Sequence, residues 1–141
     1  MRTIKFRGEL QHSGNWVIGN LFQSRNGNAY IIPVACCETD GHHARIDSDE
    51  PFSVDPATIG QFVGMVDEKG NEIYENDVLE FVTCGFNPEH FITSVVFKSC
   101  AFRLANGRNF FYACQSDLTR MSDAIVIGNL HDNQELLEQK A

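Results

Sequence analysis

The sequence predicts an all-β protein, mainly strands with a short C-terminal helix. Three observations predict it. Short runs rich in aromatic and β-branched residues recur along the chain, several with period-2 alternation. Clusters of Gly, Asn, Asp and Pro separate them, the pattern of a sandwich or barrel rather than of alternating strands and helices. Helix signals gather only at the C-terminal end, and eleven Phe residues are available for a β-rich core. The expected organisation is a single domain over residues 1–141. An N-terminal three-stranded antiparallel unit occupies 1–35, a loop 36–52, and a small barrel-like, SH3-like β subdomain 53–141, ending in a helix at 133–140.

Ile4 and Phe6 alternate with Lys5 and Arg7, the mark of a half-buried first strand. His12-Ser13-Gly14-Asn15 turns the chain into a second strand at 16–23, rich in good β-formers, and the two suggest a hairpin. Asn26-Gly27 suits a type I′ turn and leads to a third strand at 29–34, which must end or lie at an edge where Pro33 lacks an N–H. From 35 to 52 neither period appears, so the stretch reads as a loop and as the subdomain boundary. Asp55-Pro56-Ala57-Thr58 can open one helical turn, because Asp favours the N-cap and Pro the first helical position.

A strand follows at 59–66, with Gly60 and Gly64 marking bends or close backbone approach. Asp67 to Asn71 supplies a turn, Glu72-Ile73 resumes the extended chain, 74–77 turns again, and 78–83 is a further strand. Strands at 91–98 and 101–104 precede a hairpin turn at 106–109, a strand at 110–113 and a polar connector at 115–123. The last strand, 124–130, is too continuously apolar to face water on either side. Asp132 or Asn133 can cap the tail helix, with Leu136 and Leu137 turned to the body.

Composition bounds the function. With 141 residues, 43% hydrophobic and 21% charged, the chain suits one compact domain that needs neither disulfides nor a metal to hold a core. No run approaches the roughly 20 apolar residues of a membrane span. Charge interrupts the N-terminus where a signal peptide would carry its apolar region, so a cytoplasmic location is expected. Five cysteines, Cys36, Cys37, Cys84, Cys100 and Cys114, are an odd number without CxxC spacing and fit reduced thiols. Eleven basic against nineteen acidic residues leave a net charge of −8, which argues against wrapping nucleic acid. That charge is uneven. Residues 1–37 carry Arg2, Lys5, Arg7 and Arg25 against Glu9, net +3, whereas 38–89 carries thirteen acids against Arg45 and Lys69, net −11.

Three segments bear a family likeness. The first is Lys5-Phe6-Arg7-Gly8 with Gly14-Asn15-Trp16-Val17-Ile18-Gly19-Asn20-Leu21 and Tyr30-Ile31-Ile32. The second runs from Val54-Asp55-Pro56-Ala57-Thr58 through Ile59-Gly60-Gln61-Phe62-Val63-Gly64-Met65 to Asp67-Glu68-Lys69-Gly70-Asn71-Glu72-Ile73-Tyr74-Glu75-Asn76-Asp77-Val78. The third is Val126-Ile127-Gly128-Asn129-Leu130-His131-Asp132-Asn133-Gln134-Glu135-Leu136-Leu137. On these the chain resembles the YopX-like family of small bacteriophage and prophage proteins. The resemblance implies a β-rich, phage-encoded protein of unassigned biochemical role, with no catalytic residue or cofactor to carry over. Asn76 stands where the family usually has glycine, a swap the left-handed region tolerates in Asn. The segment 36–43 has no counterpart in the motif.

Candidate chemistry is sparse. Cys36, Cys37, His42 and His43 are metal-capable and close in sequence, and one residue of each pair with Cys84 or His90 could complete a zinc site, although adjacent Cys-Cys and His-His cannot all reach one ion. A Cys–His nucleophilic pair in the same loop, oriented by Asp40 or Asp47, needs a rigid scaffold that a loop does not give. The acids Asp67, Glu68, Glu72, Glu75, Asp77 and Glu80 suit a paired-carboxylate hydrolase less well than solubilising turns. Asp77, at a strand entrance, suits accepting backbone N–H bonds. Trp16, Gln61 and Tyr74, if outward, would form a polar and aromatic binding patch, and Asp77 is a further binding candidate.

The expectation is therefore a non-enzymatic protein-interaction module without cofactor, metal or membrane, its protein partner unknown and self-association open. The alternative is nucleic-acid linked. In one form Arg2, Lys5, Arg7, Arg25, Trp16 and Tyr30 stack single strands weakly; in the other the acidic middle mimics nucleic acid against a host protein.

Overall fold

The computed structural model describes residues 2–46, 52–82, 86–106 and 124–137. The chain divides into two compact units, Met1–Gln61 and Phe62–Ala141. It is built mainly of antiparallel strands, and its helical elements among the described residues are short 310 turns. The expected strand at 110–113, the connector at 115–123, Asp47, Cys84, Cys114 and the tail beyond 137 lie outside the described residues.

In the first unit, β1 (Phe6–Glu9), β2 (Trp16–Gln23) and β3 (Ala29–Ile32) form the expected antiparallel hairpins, with Arg7 opposite Ile18 and Phe22 opposite Tyr30. Pro33 ends β3 and starts a 310 turn at Val34–Cys36. The β2–β3 connection is not the two-residue type I′ turn. Gly27 donates to the Ser24 carbonyl (3.2 Å), Ser24 donates to the Asn28 carbonyl (2.9 Å), and only Gly27 takes a positive φ, +88°. A five-residue loop results, in which the Asn26 side chain accepts from the Asn28 N–H (3.3 Å) instead of its backbone entering the left-handed region.

The stretch expected as loop is partly ordered. β4 (Cys37–Thr39) and β5 (Ala44–Ile46) pair as a hairpin, a strand pair too short to show a period in sequence. The boundary between units also falls later than 36–52. β6 (Ser53–Val54) pairs with β3, Val54 bridges Leu10, Asp55 N–H donates to Glu9 O (3.0 Å), and the Thr58 hydroxyl accepts the Glu9 N–H (2.9 Å). Residues 53–61 thus belong with the first strands. The Asp55 turn forms as expected: its side chain accepts from Ala57 N–H (3.0 Å), with Pro56 opening the 310 turn Pro56–Thr58. β6 also covers part of β3, so the edge expected there is partly closed. Ala29, Ile31 and Val54 make the core, against Phe6, Leu10, Val17, Leu21 and Ile59.

β7 (Gly60–Val66) starts in this unit beside β1 and continues into the next. There it pairs with β8 (Glu72–Tyr74); the five residues of β7 from Phe62 to Val66 oppose the three of β8, and Gly64 takes φ +92° within the bulge. β9 (Asp77–Val82), β10 (His90–Lys98), β11 (Ala101–Leu104) and β12 (Ala124–Asn129) form a four-stranded sheet in the order β11-β10-β9-β12, and no sheet closes on itself among the described residues. Ile73, Leu79, Phe81, Val95, Leu104 and Ala124 form its core, and Phe81 stacks on Phe91 at 4.8 Å. β12 lies at the sheet edge and is half-buried after Ala124, not enclosed on both sides. The described part of the tail is a 310 turn at Gln134–Leu137. Asn76 takes φ +73°, the left-handed conformation expected of it.

The two-residue type I′ turn is elsewhere. Lys98 pairs with Ala101, and the residues between, Ser99 and Cys100, have φ of +53° and +64°. Neither is a favoured residue there. Replacing them with Asn and Gly (Ser99→Asn with Cys100→Gly) is expected to stabilise the protein by about 1 kcal/mol, raising Tm by roughly 3 °C. An unchanged Tm would show that this turn carries no strain.

Candidate functional site

The side chains that remain for recognition in the first unit follow from strand alternation. On β2, Val17, Gly19 and Leu21 turn to one face and Trp16, Ile18, Asn20 and Phe22 to the other. Cross-strand partners share a face, so Arg7 and Glu9 of β1 and Tyr30 of β3 stand with the second set. This outer face is apolar and open: Ile18 is 47% and Phe22 57% exposed. The Arg7 guanidinium lies over the Trp16 ring, 5.2 Å from its centre, and Phe22 meets Tyr30 edge-on at 6.1 Å. In the strand order β1 lies between β2 and β7 and β2 between β1 and β3, with Trp16–Gly19 paired to β1 and Asn20–Gln23 to β3. Backbone N–H and C=O groups lie in the plane of the sheet, so a ligand on this face meets side chains.

The β4–β5 hairpin stands at its border, where Asn20 Nδ2 donates to Cys37 Sγ (3.3 Å) and the thiol reaches back to the Pro33 carbonyl (3.5 Å). At its tip the His42 and His43 N–H groups both donate to Asp40 Oδ1 (2.8 Å), and His43 Nδ1 lies 3.3 Å from Oδ2. These bonds, the backbone one from His43 first, hold the Asp40 carboxyl below its usual pKa. Glu38 and Arg45 pair across the strands, and an open cleft of about 360 Å³ is lined by Glu38, Thr39, Asp40, His43 and Arg45. Cys37 sits at the base of the hairpin and His43 in its turn, so the fold does not join them as a nucleophilic pair. No three metal-capable side chains converge among the described residues, and Cys84 lies outside them.

Comparison with known proteins adds a family and a fold. The family described as YopX protein matches residues 5–138. The chain belongs to the YopX family. Its structure is similar to the crystal structure of protein EF1440 from Enterococcus faecalis, with 22% sequence identity, a TM-score of 0.61, and coverage of 97% of this chain and 99% of that one. No curated protein matches it.

In this YopX chain two acids of the motif, Asp67 and Asp77, turn inward. Asp67 is fully buried: Oδ1 accepts from the Lys69 (2.9 Å) and Asn71 (2.8 Å) N–H groups, and Oδ2 from the Asn71 side chain (3.1 Å) and the Val126 N–H (3.0 Å). Asp77, 1% exposed, accepts the Tyr74 N–H at 2.7 Å, the turn-fixing role expected of it. The binding patch expected from Trp16, Gln61 and Tyr74 does not assemble. Tyr74 is buried, 5.7 Å from the Phe62 ring, and Gln61 pairs with Phe6, which puts it on the sheet face opposite to Trp16. Sequence reasoning missed Ile18 and Phe22, although their alternation with Val17 and Leu21 was the available signal.

Proposed function

We propose that this YopX protein is a phage- or prophage-encoded, non-enzymatic interaction module of the bacterial cytoplasm that takes a protein partner on the outer face of β1–β3. The observation that carries this is the exposure of Ile18 and Phe22 beside Trp16, Tyr30 and Arg7. Aromatic residues and Arg are enriched at interfaces, and clustered exposed apolar residues mark them. In the same reading the second unit is SH3-like, with a short tail helix from 133 to 140; an experimental structure of the full chain with β9–β12 as an open sheet overturns that assignment.

Arg7, Trp16 and Tyr30 on one face also suit single-strand stacking, but aliphatic Ile18 between them offers no stacking surface. The mimicry form loses two of its acids, since Asp67 and Asp77 are buried.

The test is affinity capture from phage-infected host lysate with the wild type and with the double variant Ile18→Ser, Phe22→Ser. Capture of a protein by the wild type and its loss, by at least about tenfold, in the variant is expected. Tm should stay within roughly 3 °C, because both side chains already face water. A partner retained by the double variant overturns the placement, and oligonucleotide-dependent capture overturns the protein reading.

A further inference from the structure

We infer that the outer face of β1–β3 receives an acidic amphipathic helix of its protein partner, an inference that rests on the interaction reading above. Three features fix the occupant. First, the N–H and C=O groups of a sheet lie in its plane and β1 and β2 are interior in the strand order, so the face itself offers side chains. An extended peptide laid there would lose water from its own N–H and C=O groups without replacement; a helix satisfies those groups internally.

Second, the apolar residues have a helical span. Ile18 and Phe22 are four residues apart on β2, about 13 Å at strand rise, which a helix covers in about nine residues. An apolar stripe two to three turns long therefore spans both, with Trp16 and Tyr30 flanking it.

Third, the charge is complementary to an acid. Arg7 stands opposite Ile18, Lys5 precedes it on the same alternation, and exposed Arg25 lies in the loop just beyond Phe22; Glu9 is the acid of β1 on this face. A second copy of this chain would bring these cations against themselves, which disfavours a face-to-face dimer.

The probe is a synthetic helix of about 14 residues with leucines spaced three, four and seven apart and glutamates on both flanks, together with a twin in which lysines replace the glutamates. Binding to the full-length protein is read by fluorescence anisotropy. The acidic helix is expected to bind at least about tenfold tighter than the twin, and Phe22→Ser to weaken it by a similar factor. Arg25→Glu, in an exposed loop, should narrow or reverse the preference between the two peptides. No binding of the acidic helix, equal binding of the twin, or an Arg25→Glu variant with an unchanged preference overturns the inference. So does a concentration-dependent dimer that Ile18→Ser dissociates, since the occupant is then a second copy. If the peptides fail while lysate capture still depends on Ile18 and Phe22, the occupant is wrong and the interaction reading stands; if both fail, both fall.

Discussion

Gly19→Ala is expected to destabilise the protein by about 3 kcal/mol or more, lowering Tm by roughly 10 °C. A Cβ at this position would lie 2.0 Å from the Ile32 carbonyl oxygen, 2.5 Å from its carbon and 2.8 Å from Pro33 Cα. All three are backbone atoms, and the chain there has little freedom. Ile32 ends the β3 ladder opposite Asn20, Pro33 opens the next 310 turn, and the Cys37 thiol reaches back to the Pro33 carbonyl. Relief requires the β2–β3 pairing to part at its end, next to the face on which Trp16, Ile18 and Phe22 stand. Gly64→Ala is the informative control. Its φ of +92° makes alanine strained, but nothing lies within 4 Å, so only the backbone cost of about 1 kcal/mol applies. Thermal melts that show equal losses for the two variants would rule out the steric account of Gly19.

That contrast shows where the sequence was legible. Local chemistry could be read from adjacent residues. The Asp55-Pro56 turn, the strand end at Pro33, the left-handed Asn76 and the turn role of Asp77 all follow from side chains acting on backbone a few residues away. Features that depend on distant partners could not. Gly19 is constrained by Ile32, thirteen positions on, and nothing in Gly19-Asn20 announces it. Asn26-Gly27 carries the strongest two-residue turn signal yet closes a five-residue loop, while Ser99-Cys100 adopts the turn without the signal, because strand register decides loop length before turn preference acts. The outer face is half legible. The sequence groups Arg7, Trp16 and Tyr30 with other basic residues as one surface, but it also groups Gln61 and Tyr74 with Trp16, because residue type alone does not give the face a strand presents.

Asp67→Ala should cost about 4 kcal/mol, roughly 12 °C in Tm, the larger of the two effects argued here. The acids of the motif looked like solubilising turn residues, yet Asp67 has no exposed surface and gathers three backbone N–H groups and one side-chain amide. Alanine leaves the Lys69, Asn71 and Val126 N–H groups without that acceptor. The loss spreads beyond the turn, because Val126 belongs to β12, and the Glu68 N–H donates to Ala124 O (3.0 Å) in the same place. The carboxylate thus fastens the β7–β8 turn to the strand that pairs with β9, joining the central and C-terminal parts of the family motif. Burial by itself raises the pKa of this group, but the bonds from Val126, Asn71 and Lys69 outweigh it and hold the carboxyl below the ordinary 3.8. A pKa lower folded than unfolded means that the carboxylate's contribution is complete above about pH 4 and is lost as pH falls through the folded value. Asp67→Asn separates the two effects. Its oxygen can still accept from Lys69 and Asn71, but its NH₂ meets the Val126 N–H donor to donor, so stability falls near neutrality while this part of the acid dependence disappears. Denaturant titrations of wild type and Asp67→Asn from pH 2 to 7 should therefore give curves that are widely separated near neutrality and converge in acid. Parallel curves would mean that Asp67 is not the carboxylate that titrates with folding.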